Sequence, residues 1–370
     1  MTMAVQGGLL FRAGGGLARV CRFKAALPTN MAAAPSLKFH TSPVASYRKE
    51  ERYSWFNYVL GDWFSRKENE RSKIFVIDGN LAVGKTTLGK TLAEKLDMKY
   101  FPEVDVHYFD RFEGDGLPMD KKFSGNVSLE QFYKDPSDPD GHSIRFQMIM
   151  FVLRYFQYCE AMNHLISTGQ GVILDRSVHS DFVFLEAMYK ERYIKKHCYD
   201  YYYMVKEEVI NKILPPHLVI YLDVPPEEVQ KKIEKRGIQM EKDIPLTYLE
   251  TLDEAYKNDF LKNYSKWSEV LTYDWTNYGD TELILEDINA LTYENSPWNK
   301  EEDKSLHHRR RILHDPYRVG SWFNIPEYIP EVTLNAVDII NLREEHKNLP
   351  GRRFAPGFNP DVGDRVWFKW

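Results

Sequence analysis

Apolar residues follow two alternating patterns over the middle of the chain. Short apolar runs closed by polar residues predict buried parallel strands, because such strands are covered on both faces. These runs are residues 74–77, 99–102, 171–176, 217–224 and 282–285. Stretches with helical spacing lie between them, at residues 86–96, 143–167, 181–189, 199–213, 225–237 and 246–267. The alternation predicts a three-layer α/β/α fold with a five-stranded parallel sheet, extended at both ends of the chain.

A glycine loop between the first of these strands and the first helix carries the clearest chemical signature. Residues 79–86 read GNLAVGKT, which fills the pattern G-x-x-x-x-G-K-[ST] of a phosphate-binding loop (P-loop). In such loops, backbone N–H groups converge on a phosphate, the lysine neutralises charge and the hydroxyl can hold Mg²⁺. A glycine turn without a ligand is the alternative. The predicted phosphate-binding residues are Gly79, Asn80, Ala82, Gly84, Lys85, Thr86 and Thr87.

The longest helical stretch, residues 143–167, is apolar on all sides and predicts a helix buried against the sheet. Gln147 and Arg154 interrupt it and, being seven residues apart, lie on one face. Polar groups that face a core need partners, so a bound ligand and internal hydrogen bonds are the two alternatives. The preceding residues are rich in Gly, Pro and Asp and predict a long polar loop beside the site.

The amino-terminal region differs in composition from the middle of the chain. Residues 1–49 contain arginine and lysine but no acidic residue, and arginine breaks their apolar pieces. This composition is typical of a mitochondrial transit peptide, which we place at residues 1–45; a disordered tail is the alternative. Residues 46–71 form an N-terminal extension that includes an amphipathic segment at 53–69. The α/β domain is expected to cover residues 72–288.

The carboxyl-terminal segment, residues 289–370, is rich in proline and aromatic residues. It contains one candidate helix, at 332–345, and otherwise predicts an extended chain without a core of its own. We expect it to wrap over its own domain or over a neighbouring protein. A basic run at 307–311 is either a solvated face or a contact for a partner or lipid.

Composition and charge exclude several classes of protein. The 43% hydrophobic content is that of a globular chain, and a net charge of −5 gives no reason to expect a nucleic-acid partner. Three cysteines without a C-x-x-C pair favour a reducing compartment. No run of about 18 apolar residues predicts a transmembrane segment. No G-x-G-x-x-G fingerprint points to a redox cofactor.

Residues 72–288 together resemble the deoxynucleoside kinase family. The phosphate loop, a carboxylate after the second strand, a glutamine and an arginine on the central helix, and the motif DRSVHSD at 175–181 all fit that family. The resemblance implies ATP-dependent phosphorylation of a deoxynucleoside, in which a loop, a metal and arginines neutralise the transferred phosphoryl group. The implied ligand is an adenine-containing nucleotide or a deoxynucleotide with Mg²⁺.

The resemblance also implies a role for each site residue. Glu103 would accept the proton of a 5′-hydroxyl and Arg176 would steady the reacting oxygens, so these two would be catalytic in an active kinase. Thr86 and Asp175 would hold Mg²⁺. The residues that would hold the nucleoside and its base are Gln147, Arg154, Asp181 and Tyr108.

Departures from the family pattern weaken the implied activity. Pro102 precedes Glu103, whereas the family places a proline after the acid, and Tyr108 stands where a tryptophan is usual. The family carries R-x-R-x-E-E in the lid after its fourth strand, but residues 236–241 read RGIQME. Arg236 therefore remains as a phosphate ligand, while Ile238 occupies the position of the second arginine. Loss of one arginine clamp can lower the rate by about 10³ to 10⁵.

Three hypotheses about function follow. The first is a structural subunit of a larger assembly on the matrix side of mitochondria, with a nucleotide pocket but no turnover. It depends on Ile238 and on the C-terminal segment. The second is an active mitochondrial deoxynucleoside kinase, which depends on the retained site residues. The third is a nucleotide-binding regulator of the matrix without fixed partners.

Overall fold

The computed structural model describes residues 69–108, 127–294, 296–325 and 327–333, five scattered positions between 336 and 344, and the backbone of a strand at Leu9–Ala13. The amphipathic segment predicted at 53–69 lies outside these residues except for Asn69. Of the candidate helix at 332–345, the structure describes seven residues, and the five of them between 336 and 344 are helical. None of the described helices combines the length and apolar character needed to cross a bilayer.

A parallel sheet forms the centre of the fold. Its strands are β1 Leu9–Ala13, β2 Ile74–Gly79, β3 Lys99–Phe101, β4 Val172–Asp175, β5 Leu218–Asp223 and β6 Glu269–Asp274. They lie in the order β1-β6-β5-β2-β4-β3, and every neighbouring pair is parallel. The predicted five-stranded sheet of the α/β domain is confirmed by β2 to β6. Strand β1 adds a sixth at the edge and comes from the region predicted as a transit peptide.

Helices cover the sheet and connect its strands. The α-helices are α1 Lys85–Leu96, α2 Leu129–Lys134, α3 His142–Thr168, α4 Phe182–Lys190, α5 Lys196–Ile210, α6 Pro226–Arg236, α7 Leu246–Ala255, α8 Leu261–Tyr264, α9 Thr281–Asn289, α10 Asp303–Leu313 and α11 Pro316–Ser321. A π-helical turn at Tyr256–Phe260 joins α7 to α8, and short 3₁₀ helices lie at Gln239–Glu241 and Pro297–Lys300. Helix α3 is the long buried helix that the sequence predicts.

The prediction of a strand at residues 282–285 was wrong. Those residues belong to α9, which begins after Asp280, whose side chain accepts a hydrogen bond from the Glu282 backbone N–H at 2.9 Å. Only Ile284 and Ile288 of this helix are buried, and their spacing of four is that of one helical face. The last strand of the domain is β6 instead, whose Glu269 and Thr272 interrupt the apolar run.

The first part of the C-terminal segment lies on its own domain. Trp298 stacks on His217 with ring centroids 4.8 Å apart, and its indole N–H donates to the Pro215 carbonyl at 2.8 Å. Helix α10 lies against α3, with Leu306 and Leu313 buried. The segment therefore adds apolar contacts to the core, which stabilise it by burial of hydrophobic area.

Candidate functional site

The phosphate loop starts at the centre of the sheet. Ile77 in β2 is paired with Asp175 in β4, so the loop begins beside the carboxyl end of β4. Gly79 has φ 149°, and a Cβ atom there would lie 2.8 Å from the Leu222 carbonyl oxygen, so a side chain would collide with β5. Gly84 has φ 97° and precedes the first residue of α1. These two glycines allow the sharp turn that directs the helix N-terminus toward the loop.

Lys85 is buried inside this loop. Its Nζ donates to the Asn80 carbonyl at 2.7 Å. Burial, together with the nearby positive charge of Arg176, lowers the pKa of Lys85 to about 8. An anion bound at the loop would offset both effects, so the loop is electrostatically suited to a phosphate group.

Thr86 and Asp175 meet between the loop and β4. The Thr86 hydroxyl donates to Asp175 Oδ2 at 2.6 Å, and the Tyr100 hydroxyl donates to the same oxygen at 3.3 Å. Among the described residues, no group hydrogen-bonds to Asp175 Oδ1, which is buried. Burial raises the pKa of Asp175. A divalent cation suits this pair, since hydroxyl and carboxylate oxygens are its preferred ligands.

Glu103 lies after β3 and is held by two arginines. It forms ion pairs with Arg176 and with Arg154, the latter at 3.5 Å. Arg176 also donates to the Gly79 carbonyl at 3.1 Å, and its φ of 61° places a non-glycine residue in the left-handed region. Burial alone would raise the pKa of Glu103, but the charges of Arg176, Lys85 and Arg154 outweigh it and lower the pKa to about 2.

Two of the predicted base-binding residues, Gln147 and Arg154, contact a third, Asp181. Gln147 donates to Asp181 Oδ2 at 2.7 Å, and Arg154 forms an ion pair with Asp181 Oδ1. The Tyr202 hydroxyl donates to Asp181 Oδ2 at 2.5 Å. Gln147 and Arg154 therefore have internal partners, which is the second of the alternatives that their positions in the helix left open.

Three residues of this site were not among those predicted from the sequence. Tyr202 is one of three consecutive tyrosines, and nothing in that run marks it as the buried one. Phe184 lies 4.9 Å from the guanidinium carbons of both Arg154 and Arg176, which gives it a cation–π contact with each. Asp78 is fully buried at the end of β2, and only its position just before the glycine loop could have drawn attention to it.

Asp78 is a fully buried ionisable group. Ser180 donates to its Oδ1 at 2.7 Å, while no described residue hydrogen-bonds to its Oδ2. Burial raises the pKa of Asp78 to about 6, against the opposing effects of the Ser180 hydrogen bond and the Arg176 charge. Ionisation of Asp78 therefore costs more free energy in the folded protein than in the unfolded chain.

Two predicted residues have partners other than those expected. Arg236, half exposed, forms an ion pair with Glu241 at 3.4 Å, and no hydrogen bond or ion pair joins it to the phosphate loop within the described part of the chain. Ile238 follows in the same turn and is half-buried. The Tyr108 hydroxyl donates to Glu160 on α3. The structure thus brings the loop, Glu103, Arg176, Thr86 and Asp175 together but gives Arg236 a different contact.

Similarity to known proteins covers much more of the chain than this site. The sequence model of deoxynucleoside kinases matches residues 75–301. The chain is 45% identical over 319 residues to mitochondrial NADH dehydrogenase (ubiquinone) 1 alpha subcomplex subunit 10 of Bos taurus, covering 86% of this chain and 93% of that protein. The mouse protein of that name is 43% identical, with 86% and 90% covered. Deoxyguanosine kinase of Dictyostelium discoideum is 33% identical over 225 residues, covering 61% of this chain and 72% of the kinase.

Proposed function

This chain belongs to the deoxynucleoside kinase family, and we propose that it is a non-catalytic accessory subunit of mitochondrial NADH:ubiquinone oxidoreductase, respiratory complex I, that retains a nucleotide pocket. The observation that carries the proposal is the extent of the similarity. The bovine complex I subunit aligns with 86% of this chain, whereas the Dictyostelium kinase aligns with 61%. The complex I relatives therefore share more of the chain than the kinase-like domain alone.

The proposed location is the matrix side of the inner membrane, where the chain would support assembly or stability of the complex. The basic, acid-free region at 1–45 supports import into mitochondria as a transit peptide. Its removal would also remove β1 and leave the five strands β2 to β6 in the mature protein. The proposed partners are other complex I subunits, which the C-terminal segment would contact.

The proposed ligand of the pocket is an adenine-containing nucleotide or a deoxynucleotide with Mg²⁺. Lys85 and the backbone of the loop would bind its phosphates. Thr86 and Asp175 would hold the metal, because Asp175 Oδ1 is buried without a partner among the described residues. When bound, Mg²⁺ would neutralise phosphate charge.

The residues of the lid argue against phosphoryl transfer by this chain. Phosphoryl transfer depends on positive charge around the transferred group, and an arginine supplied for this purpose is worth about 10³ to 10⁵ in rate. Here Ile238 occupies the position of one lid arginine, and Arg236 is paired with Glu241. The loop and Lys85 remain, so we propose that binding persists while transfer does not.

An active deoxynucleoside kinase is the second candidate. It is favoured by the Glu103–Arg176 pair, since Glu103 stays ionised at neutral pH and its carboxylate can accept a hydrogen bond from a substrate hydroxyl. The Asp181 network with Gln147 and Arg154 would then position the base.

A turnover assay separates the two candidates. The purified chain is incubated with labelled ATP, Mg²⁺ and each of the four deoxynucleosides, and nucleotide binding is measured on the same preparation by calorimetry. We expect binding without transfer above the protein-free blank. Transfer at the rates of about 1 to 100 s⁻¹ that kinases reach would establish the second candidate and overturn the first.

A further inference from the structure

A cluster of three metal-ligand side chains lies away from the nucleotide pocket, where the C-terminal segment meets the domain. His197 and Cys198 belong to the first turn of α5, and Glu331 belongs to the segment after α11. One ligand atom from each of the three lies within 4.8 Å of the others. His197 Nε2 is 2.9 Å from Glu331 Oε2.

The three donors suit one class of cation. Imidazole nitrogen, thiolate sulfur and carboxylate oxygen together favour Zn²⁺, a borderline-soft ion that binds all three. Tetrahedral coordination places such ligand atoms roughly 3.3 to 3.8 Å apart. The separations found here, from 2.9 Å for the His–Glu pair to at most 4.8 Å, lie on both sides of that value, so side-chain adjustments of about 1 Å would complete the site.

The backbone position of Glu331 does not depend on its carboxylate. Arg145 donates to the Glu331 carbonyl at 3.1 Å. Gly141, with φ 80°, lies so close that a Cβ atom on it would be 2.6 Å from the Glu331 Cβ. Glu331 therefore packs against the start of α3, and its side chain extends from there toward α5. Such support by surrounding groups is what holds metal ligands in place.

Lys195 and the Cys198 thiol determine what a metal must displace. Lys195 Nζ is 2.9 Å from Glu331 Oε1, and its side chain is 62% exposed, so it can turn toward solvent when a cation binds the carboxylate. Burial and the neighbouring Glu331 raise the pKa of the Cys198 thiol to about 11. Metal binding must therefore release the Cys198 proton, with formation of an S–Zn bond and no change of oxidation state.

We propose that His197, Cys198 and Glu331 form a zinc site that fastens the C-terminal segment to the kinase-like domain. Water would fill the fourth position, because the His197 side chain is 48% exposed. Zinc would join two parts of the chain more than 130 residues apart, and a crosslink of this kind stabilises the folded state through the closed loop and the ligand bonds. The site does not require the nucleotide pocket or the complex I partners.

Cobalt titration of the full chain tests the proposal. Co²⁺ replaces Zn²⁺ and gives a sulfur-to-metal charge-transfer band when a thiolate is bound. We expect one equivalent of Co²⁺ with this band, displaced by Zn²⁺. Cys198→Ser should abolish the band, and Glu331→Gln should weaken affinity at least tenfold. Cys159→Ser is the matched control, because Cys159 is a buried free thiol of α3 that lies outside the cluster, and it should keep the band.

A second variant separates a metal site from a simple ion-pair contact. Lys195→Met removes the cation that competes for Glu331, so it should tighten Co²⁺ binding several-fold if the carboxylate is a ligand. Unchanged or weaker binding in Lys195→Met would contradict the proposal. So would a wild-type chain without the band, a band that survives in Cys198→Ser, or equal affinity in Glu331→Gln. Each variant is first checked for a wild-type unfolding midpoint in the presence of EDTA.

Discussion

The Arg176 guanidinium, only 3% exposed, pairs with the Glu103 carboxylate and thereby joins the end of β4 to the loop after β3. The same guanidinium donates to the Gly79 carbonyl of the phosphate loop. A buried cation in this position needs its partner, because an unpaired buried charge is costly. The pair therefore has a structural role whether or not Glu103 acts as a base.

Glu103→Gln should destabilise the folded protein. The substitution leaves Arg176 buried with a neutral neighbour, and since Glu103 is itself 33% exposed, we expect a loss of about 1 to 3 kcal/mol in the free energy of unfolding. Urea denaturation measures it. The matched control is Glu254→Gln, whose ion pair with Lys190 is exposed on both sides and should change stability by less than about 0.5 kcal/mol. Equal effects of the two substitutions would contradict this account.

Asp78 should make the stability depend on pH. Its folded pKa of about 6 is above the ordinary value of 3.8, so its contribution to stability is fully present below about pH 4 and is lost as pH rises through 6. Two pKa units correspond to about 3 kcal/mol. Urea unfolding of the wild type and Asp78→Asn at pH 4 to 8 should show wild-type stability falling relative to the variant by about 2 to 3 kcal/mol. Parallel curves would show that the Asp78 carboxyl does not titrate in this range.

Restoring the second lid arginine should create or raise kinase turnover. Ile238→Arg places a guanidinium where the family carries one. We expect phosphoryl transfer to increase by at least about tenfold, with the 10³ to 10⁵ that such an arginine can supply as the upper limit. Gln239→Arg, one position along and exposed, is the matched control for added charge and should have little effect. If neither variant transfers phosphate, something other than the missing arginine suppresses turnover.

Lys85→Ala should weaken nucleotide binding without unfolding the domain. The Lys85 ammonium is the charged donor of the loop, and loss of a hydrogen bond to a charged group costs about 1.5 to 3 kcal/mol, or roughly 10- to 100-fold in affinity. Calorimetry with ATP and Mg²⁺ measures the change. Lys90→Ala removes an exposed lysine from the same helix and should leave affinity unchanged. Similar affinities for Lys85→Ala and the wild type would place the ligand elsewhere.

Much of the domain could be predicted because its signals are local. The phosphate loop needs two glycines at fixed positions, and the buried strands β2, β4 and β5 are nearly continuous apolar runs. Strand β6 escaped detection because Thr272, although buried, is polar. Residues 282–285 were misassigned because a short run such as 283–285, with three apolar residues, fits a strand as well as a helical face.

Contacts between distant residues could not be predicted in the same way. The bond from Tyr202 to Asp181 and the position of Glu331 beside His197 depend on how helices pack, which no local pattern encodes. The partner of Arg236 is a similar case, since its pairing with Glu241 depends on the turn after α6. Residue types at the site were therefore predictable, whereas their mutual contacts required the structure.

Native electrophoresis of mitochondrial membranes tests the central claim most directly. Mitochondria from cells that produce this chain are solubilised in mild detergent, and the chain is detected alongside NADH dehydrogenase activity. We predict that the chain migrates with the active complex, and that cells without it contain less of the assembled complex. Migration of the chain only as a free monomer, with the amount of complex I unchanged in its absence, would contradict the account.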